Sequence, residues 1–270
     1  MGRVIFGLGG ECMSVSQSAI VSNWFKGKEL SFAFGLTLCV ARLGSVLNGV
    51  TVSRMASSHG VGFALYIGAM ICCLSFVCAI VLAAIDRYAD KKDNKTVVLT
   101  EADKFQLKDL KEFSLSFWLI VLSCVFVYMS IFPFIQNSES LMEQKFGFSS
   151  ETAGTWYGMP YFMSAFLSPV LGFCIDKVGK RALMIMFSSC IVCLACVITM
   201  FLPNYTEENW IIMVPLCMLG VGYSVYASAL WGSIPYVVKP ANLGTAFGIT
   251  TAVQNTGLTI APLAIGYIQD

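Results

Sequence analysis

Residues 182–202 read ALMIMFSSCIVCLACVITMFL, without one charged side chain, and Lys177, Lys180 and Arg181 stand just before them. A helix rises about 1.5 Å per residue, so a run of this length crosses the ~30 Å hydrocarbon layer of a bilayer. Backbone N–H and C=O groups find no water at that depth, and a helix satisfies them internally. Working outward, comparable runs are Val4–Val21, Leu30–Val52, Gly62–Ile85, Leu115–Ile135, Ala153–Ile175, Trp210–Trp231 and Leu243–Ile268. The composition agrees: 57% of the 270 residues are hydrophobic and 12% charged, with a mean hydropathy of +0.74. A soluble domain carries about 25% charge. The 13% aromatic share excludes a disordered tail, and a net charge of +1 lacks the basic face of a nucleic-acid binder. The expected fold is an all-α, multi-pass integral membrane protein.

Lysines and arginines orient such a chain, because cytosolic links hold them in excess. Lys26 and Lys28 fill the first link; Arg87, Lys91, Lys92, Lys95, Lys104, Lys108 and Lys111 the third; Lys177, Lys180 and Arg181 the fifth; Lys239 the seventh. The even links hold only Arg54 and Lys145. The odd links are therefore expected in the cytosol and the even ones in a lumen or outside. The long charged link suggests three regions: residues 1–85 with three spans, a cytosolic linker over 86–113, and residues 114–270 with five spans. Of two glycosylation sequons, the one at Asn94 falls in the cytosolic linker and the one at Asn204 in a lumenal link close to the membrane. All eleven cysteines lie inside runs. Cys190, Cys193 and Cys196 have a metal-like spacing but no His or carboxylate beside them, so they read as packing residues. Neither a metal nor another cofactor is expected. The runs also lack a His, or any Ser–His or paired-carboxylate arrangement, that could run acid–base chemistry, so an enzyme is not expected.

Ionisable side chains at membrane depth are functional candidates. Glu11 is the one acidic residue deep within a run, and Arg42 is deep within the next. Counted from the cytosolic ends of their runs, both lie roughly 17 Å in. Gly7, Glu11, Ser14 and Ser18 share one helical face; Gly35, Cys39, Arg42, Ser45 and Gly49 share another. Two readings follow. Glu11 and Arg42 could form an ion pair that joins two helices, a weak stabiliser because desolvation opposes it. Alternatively they mark a polar site where Glu11 takes an ammonium group and Arg42 a carboxylate, which suits its planar two-donor fork. Arg3 lies nearer the lumenal end and could snorkel to the interface. Tyr223, Tyr226, Trp231, Gln254 and Asn255 form a second polar and aromatic group, read as interhelical packing or as part of a site. Gly244-x-x-x-Gly248 would permit close helix approach.

The segment Gly172-Phe173-Cys174-Ile175-Asp176-Lys177-Val178-Gly179-Lys180-Arg181 resembles the G-x-x-x-D-x-x-G-[RK]-[RK] loop of the major facilitator superfamily, which joins the second and third helices of each six-helix half. Its glycines allow a tight turn, and the resemblance implies that Asp176 with Lys180 and Arg181 forms a charge lock that breaks as two halves rock. Further blocks resemble the lysosomal dipeptide carriers of that superfamily: Gly7-Leu8-Gly9-Gly10-Glu11, Trp24-Phe25-Lys26-Gly27-Lys28-Glu29-Leu30, Ala41-Arg42-Leu43-Gly44-Ser45, Phe132-Pro133-Phe134-Ile135 and Gln254-Asn255-x-Gly257.

The resemblance implies a twelve-helix bundle of which eight helices, the fourth to the eleventh, are present here, so that the chain is a piece of a longer fold. It implies a cavity near Glu11, Tyr128, Tyr223 and Tyr226, with Arg42 beside it, and Glu11 and Arg42 reading a peptide's amino and carboxyl ends. It also implies uniport of dipeptides across the lysosomal membrane by alternating access, and a heavily glycosylated single-pass membrane protein as accessory subunit. A carrier of another small organic anion or zwitterion, coupled to protons through Glu11, is the alternative within the class. A non-transporting membrane scaffold is the alternative outside it.

Overall fold

The computed structural model describes residues 2–27, 29–92, 110 and 112–269. Among them the helices run α1 (Gly2–Phe25), α2 (Leu30–His59), α3 (Val61–Lys92), α4 (Leu115–Phe146), α5 (Ser150–Trp156), α6 (Met159–Val178), α7 (Arg181–Phe201), α8 (Met213–Val237) and α9 (Leu243–Gln269). Short 3-10 turns at Trp210–Ile212 and Pro240–Asn242 lead into α8 and α9. Among the described residues seven segments are long and apolar enough to cross a membrane, Ser150–Val178 counting as one of them. The eighth run folds as α9, long enough at 27 residues. Thr250, Thr251, Gln254, Asn255, Thr256 and Thr259 interrupt its apolar residues. The protein is an all-α, multi-pass membrane bundle.

Local chemistry sets the boundaries. Ser114 caps α4 by accepting from the Phe117 N–H at 3.3 Å, and Gly147, at φ 68°, closes its other end. Gly179 does the same for α6 at φ 70°, a left-handed conformation that glycine adopts without strain. The run expected to be continuous over 153–175 is broken at Tyr157–Gly158, between α5 and α6. Pro160 sits at the start of α6, where its missing N–H costs no helical bond. α3 continues past Ile85 to Lys92, with Lys91 and Lys92 in its last turn, where cations suit the helix dipole. Asn94 and most of the charged linker fall outside the described residues, as do Lys28 and the side chains of Arg3 and Arg54.

The chain separates into two compact units, Met1–Leu43 with Gln106–Asp270, and Gly44–Phe105. The second comprises the end of α2 and α3, joined at Gly60 with φ 85°. Leu65, Ile71, Leu74 and Phe76 of α3 are all exposed, as lipid-facing side chains are.

In the first unit α8 is the central helix. α6 and α7 pack on it, α4 pairs with α9, and α9 also meets α1. Cys124, Tyr128, Ile131, Leu219, Tyr223, Tyr226 and Leu230 share one buried cluster. Hydrophobic burial supplies no drive between helices in lipid, so close backbone approach matters. A Cβ at Gly220 would stand 2.7 Å from the Met163 Cβ, and one at Gly35 2.3 Å from the Ser168 carbonyl oxygen. Gly244 and Gly248, by contrast, meet nothing within 4 Å. That spacing packs no helix among the described residues.

The links sort to two ends of this unit. At one, the Gly27 N–H faces the Tyr236 hydroxyl at 3.4 Å, Arg181 bonds Ser31 and Lys239 pairs with Glu112 at 2.9 Å. At the other, the Lys145 Nζ donates to the Thr199 carbonyl at 2.8 Å, and the Tyr205 N–H donates to the Lys145 carbonyl at 2.7 Å. Lys145 thereby caps the end of α7, and the exposed Asn204 lies in the loop just beyond it.

Candidate functional site

Arg42 lies near the middle of α2 and carries its charge inward. One terminal nitrogen donates to the hydroxyl of Tyr223, on α8. The guanidinium carbon lies 4.9 Å from the ring centre of Tyr161, 4.9 Å from that of Tyr223 and 5.4 Å from that of Phe132. α6, α8 and α4 therefore each present a ring to a cation on α2. Cation–π contacts reach about 2 kcal/mol when desolvated, against about 2.5–3.5 kcal/mol for an arginine placed at mid-membrane by insertion scales. The rings thus offset much of the burial cost without a counter-charge. The Nε of Arg42 is buried and has no hydrogen-bond partner, which leaves one strong donor available to an acceptor from outside the chain.

The rings brace one another. Tyr128 stacks on Phe132 at 5.4 Å and meets Tyr223 edge-on at 5.9 Å, while Phe132 meets Tyr223 edge-on at 5.6 Å. The Trp231 indole N–H donates to the Tyr128 hydroxyl at 3.0 Å, and the hydroxyls of Ser123 and Tyr226 share a bond of 2.8 Å. A buried tyrosine or tryptophan needs such a partner. Here the partners come from each other, so the polar groups of α4 and α8 form a fixed wall.

The second constellation is at the end carrying the odd links. Asp176 accepts from the backbone N–H groups of Ser31 at 3.1 Å and Phe32 at 2.8 Å. A carboxylate there complements the dipole and the unpaired N–H groups of the α2 N-terminus. Arg181 binds the same carboxylate at 2.8 Å, donates through Nε to the Ser31 hydroxyl at 3.1 Å and lies 4.3 Å from the centre of the Tyr236 ring. Gly172 is buried against α2: a Cβ there would stand 2.4 Å from the Ser31 carbonyl oxygen. Gly179 makes the turn between Asp176 and Arg181, and Lys180 is exposed.

Of the residues singled out in the sequence, the structure gathers Arg42, Tyr128, Tyr223, Tyr226 and Trp231 into one connected group, and Gly172, Asp176, Gly179 and Arg181 into another. Glu11 is exposed on α1. Among the described residues it forms no ion pair with Arg42. Asn255 is half-buried on α9, and its side chain takes no part in the hydrogen bonds of the aromatic group; the neighbouring Gln254 accepts from the Cys124 thiol at 3.8 Å. The sequence reading missed Phe132, Tyr161, Ser123 and Tyr236. Phe132 was within reach of it, four residues from Tyr128 on one helical face. Tyr161 gave no comparable sign.

The model of the Major Facilitator Superfamily matches residues 1–262. The lysosomal dipeptide transporter MFSD1 of Homo sapiens is 39% identical over 279 residues, which cover 100% of this chain and 58% of that protein. The lysosomal dipeptide transporter MFSD1 of Gallus gallus is 40% identical over 280 residues, 100% of this chain and 62% of its own. The hexuronate transporter of Bacillus subtilis is 24% identical over 286 residues, 99% of this chain and 65% of its own. The chain therefore spans about three-fifths of the length of these relatives.

Proposed function

Because the chain belongs to the major facilitator superfamily, a family of carriers rather than enzymes, we propose that it moves short peptides, dipeptides above all, across the lysosomal membrane by alternating access, as a uniporter. The observation that carries this reading is Arg42: a cation at mid-span, held by the Tyr223 hydroxyl and by the rings of Phe132, Tyr161 and Tyr223, with its Nε–H unpaired. Such a group takes a carboxylate, and every dipeptide ends in one. The substrate class itself comes from the relatives named as dipeptide transporters.

In the loaded state the carboxylate would bridge Arg42, while Glu11, exposed and without an ion pair to Arg42, supplies the counter-charge for the amino terminus. Tyr128, Tyr223, Tyr226, Trp231 and Asn255 would line the remaining space. The three spans before the long linker and the five after it would belong to opposite halves of the carrier. Asp176, Lys180 and Arg181, with Gly172 and Gly179, would hold those halves together at the cytosolic end, and the lock would open as substrate passes. A glycosylated single-pass membrane protein would serve as accessory subunit.

One observation favours a second reading. Arg42 fits any carboxylate, and one relative is named as a hexuronate transporter, a carrier of a carboxylate that has no amine. The test of the first reading is uptake of alanyl-alanine into proteoliposomes. Arg42→Ala should abolish it while protein abundance stays normal; a collapse of abundance would return Arg42 to a structural role. Competition separates the two readings. A dipeptide should inhibit far better than its N-acetylated form, and equal inhibition by both would favour a general organic-anion carrier.

A further inference from the structure

A carrier that works without a coupling ion must return empty, and an empty carrier keeps its binding charge after the substrate has left. Arg42 has no carboxylate partner among the described residues, yet it does not stand bare. Tyr161, Tyr223 and Phe132 surround its guanidinium at 4.9, 4.9 and 5.4 Å, and the Tyr223 hydroxyl accepts from one terminal nitrogen. These are electron-rich but uncharged surfaces, and they are fixed in advance by Phe132–Tyr223 and Tyr128–Phe132 ring contacts at 5.6 and 5.4 Å.

We propose that Phe132 and Tyr161 are positioning residues that form a resting cradle for the Arg42 charge in the unloaded carrier, and that they set the rate at which the empty protein reorients. The inference rests on the carrier reading above. A carboxylate in place of these rings would neutralise Arg42 and compete with the substrate's own carboxylate. No partner at all would leave a cation exposed to apolar surroundings during the return step. A ring cradle lies between the two: it satisfies the cation enough for it to move, and it leaves the Nε–H unpaired for the next ligand. Tyr161 comes from α6 and Phe132 from α4, and a carboxylate on Arg42 would supply outright the negative charge for which these rings stand in when the site is empty.

The cradle therefore matters in one half of the cycle only, and two flux measurements separate the halves. Net uptake of labelled alanyl-alanine into empty proteoliposomes includes the unloaded return. Exchange against unlabelled alanyl-alanine trapped inside does not. Phe132→Leu and Tyr161→Leu should lower net uptake about tenfold and leave exchange within about twofold, whereas Tyr161→Phe, which keeps the ring, should leave both unchanged. Preserved exchange also shows that the variants fold. Equal loss of net uptake and exchange would overturn the cradle and make the rings substrate contacts. An unchanged ratio in both leucine variants would overturn it as well, with the carrier reading intact. If the unmodified chain shows neither flux, the carrier reading fails and the cradle with it.

Discussion

A guanidinium and an ammonium carry the same charge but different edges. Arg42 uses one terminal nitrogen on Tyr223 and keeps an Nε–H buried and unpaired; a lysine there would be a point charge without that second, fixed donor. Arg42→Lys is therefore expected to raise the KM for alanyl-alanine about tenfold with a smaller effect on kcat, the pattern of lost binding in both ground and transition state. Initial-rate uptake against concentration checks this, and an unchanged KM would mean that charge alone reads the substrate. Arg42 and Glu11 were legible in the sequence because an ionisable residue within an apolar run has few neutral explanations. Their relation was not, since helical spacing gives each residue a face but no partner. Tyr161 was illegible for the opposite reason: in a chain this rich in aromatics, a ring that holds a cation looks like a ring that packs in a core, and Phe132 showed only its place one turn from Tyr128.

Two helices meet through four small residues. Ser31 and Gly35 are one turn apart on α2, Ser168 and Gly172 one turn apart on α6, and the contacts are reciprocal: Gly35 lies against Ser168, Gly172 against Ser31. Such paired small residues let backbones touch, and the Asp176 carboxylate then caps the α2 N-terminus from just beyond the contact. The loop from Gly172 to Arg181 stood out in the sequence because Gly, Asp, Gly, Lys and Arg at fixed offsets are conspicuous between apolar runs. The Ser–Gly pairs did not, because small residues are scattered through every run, and the spacing at Gly244 and Gly248 that did stand out packs against nothing within 4 Å. Gly172→Ala places a methyl 2.4 Å from a carbonyl oxygen, so the helices must separate. Spin labels on Lys26 and Lys177 should report a longer and broader distance, with reduced uptake. Asp176→Asn keeps the shape but loses the charge that faces the helix dipole and Arg181. A cost of about 1–2 kcal/mol should shift the closed-to-open ratio at this end roughly tenfold toward open. The same label pair should then show a second, longer population, and an unaltered distribution would remove the carboxylate from the lock.

For the whole molecule, the question is whether substrate moves alone or with a proton. A carboxylate at membrane depth that exchanges a proton in step with ligand binding would couple the two. Glu11 is the one acidic side chain deep within an apolar run, and the structure leaves it exposed on α1 without an ion pair to Arg42. The arginine is held instead by neutral rings and a tyrosine hydroxyl. Nothing in that contact set changes its occupancy when Glu11 gains a proton, so in this arrangement the Arg42 charge has no direct contact with the Glu11 carboxylate. Alanyl-alanine uptake should therefore proceed equally fast with and without an inward proton gradient and be unaffected by an uncoupler. Glu11→Gln should weaken substrate affinity, through the lost counter-charge for the amino terminus, without creating or removing gradient dependence. Uptake that requires the gradient, together with its loss in Glu11→Gln, would show a proton-coupled carrier, and would place a link between Glu11 and Arg42 in a conformation other than the one described.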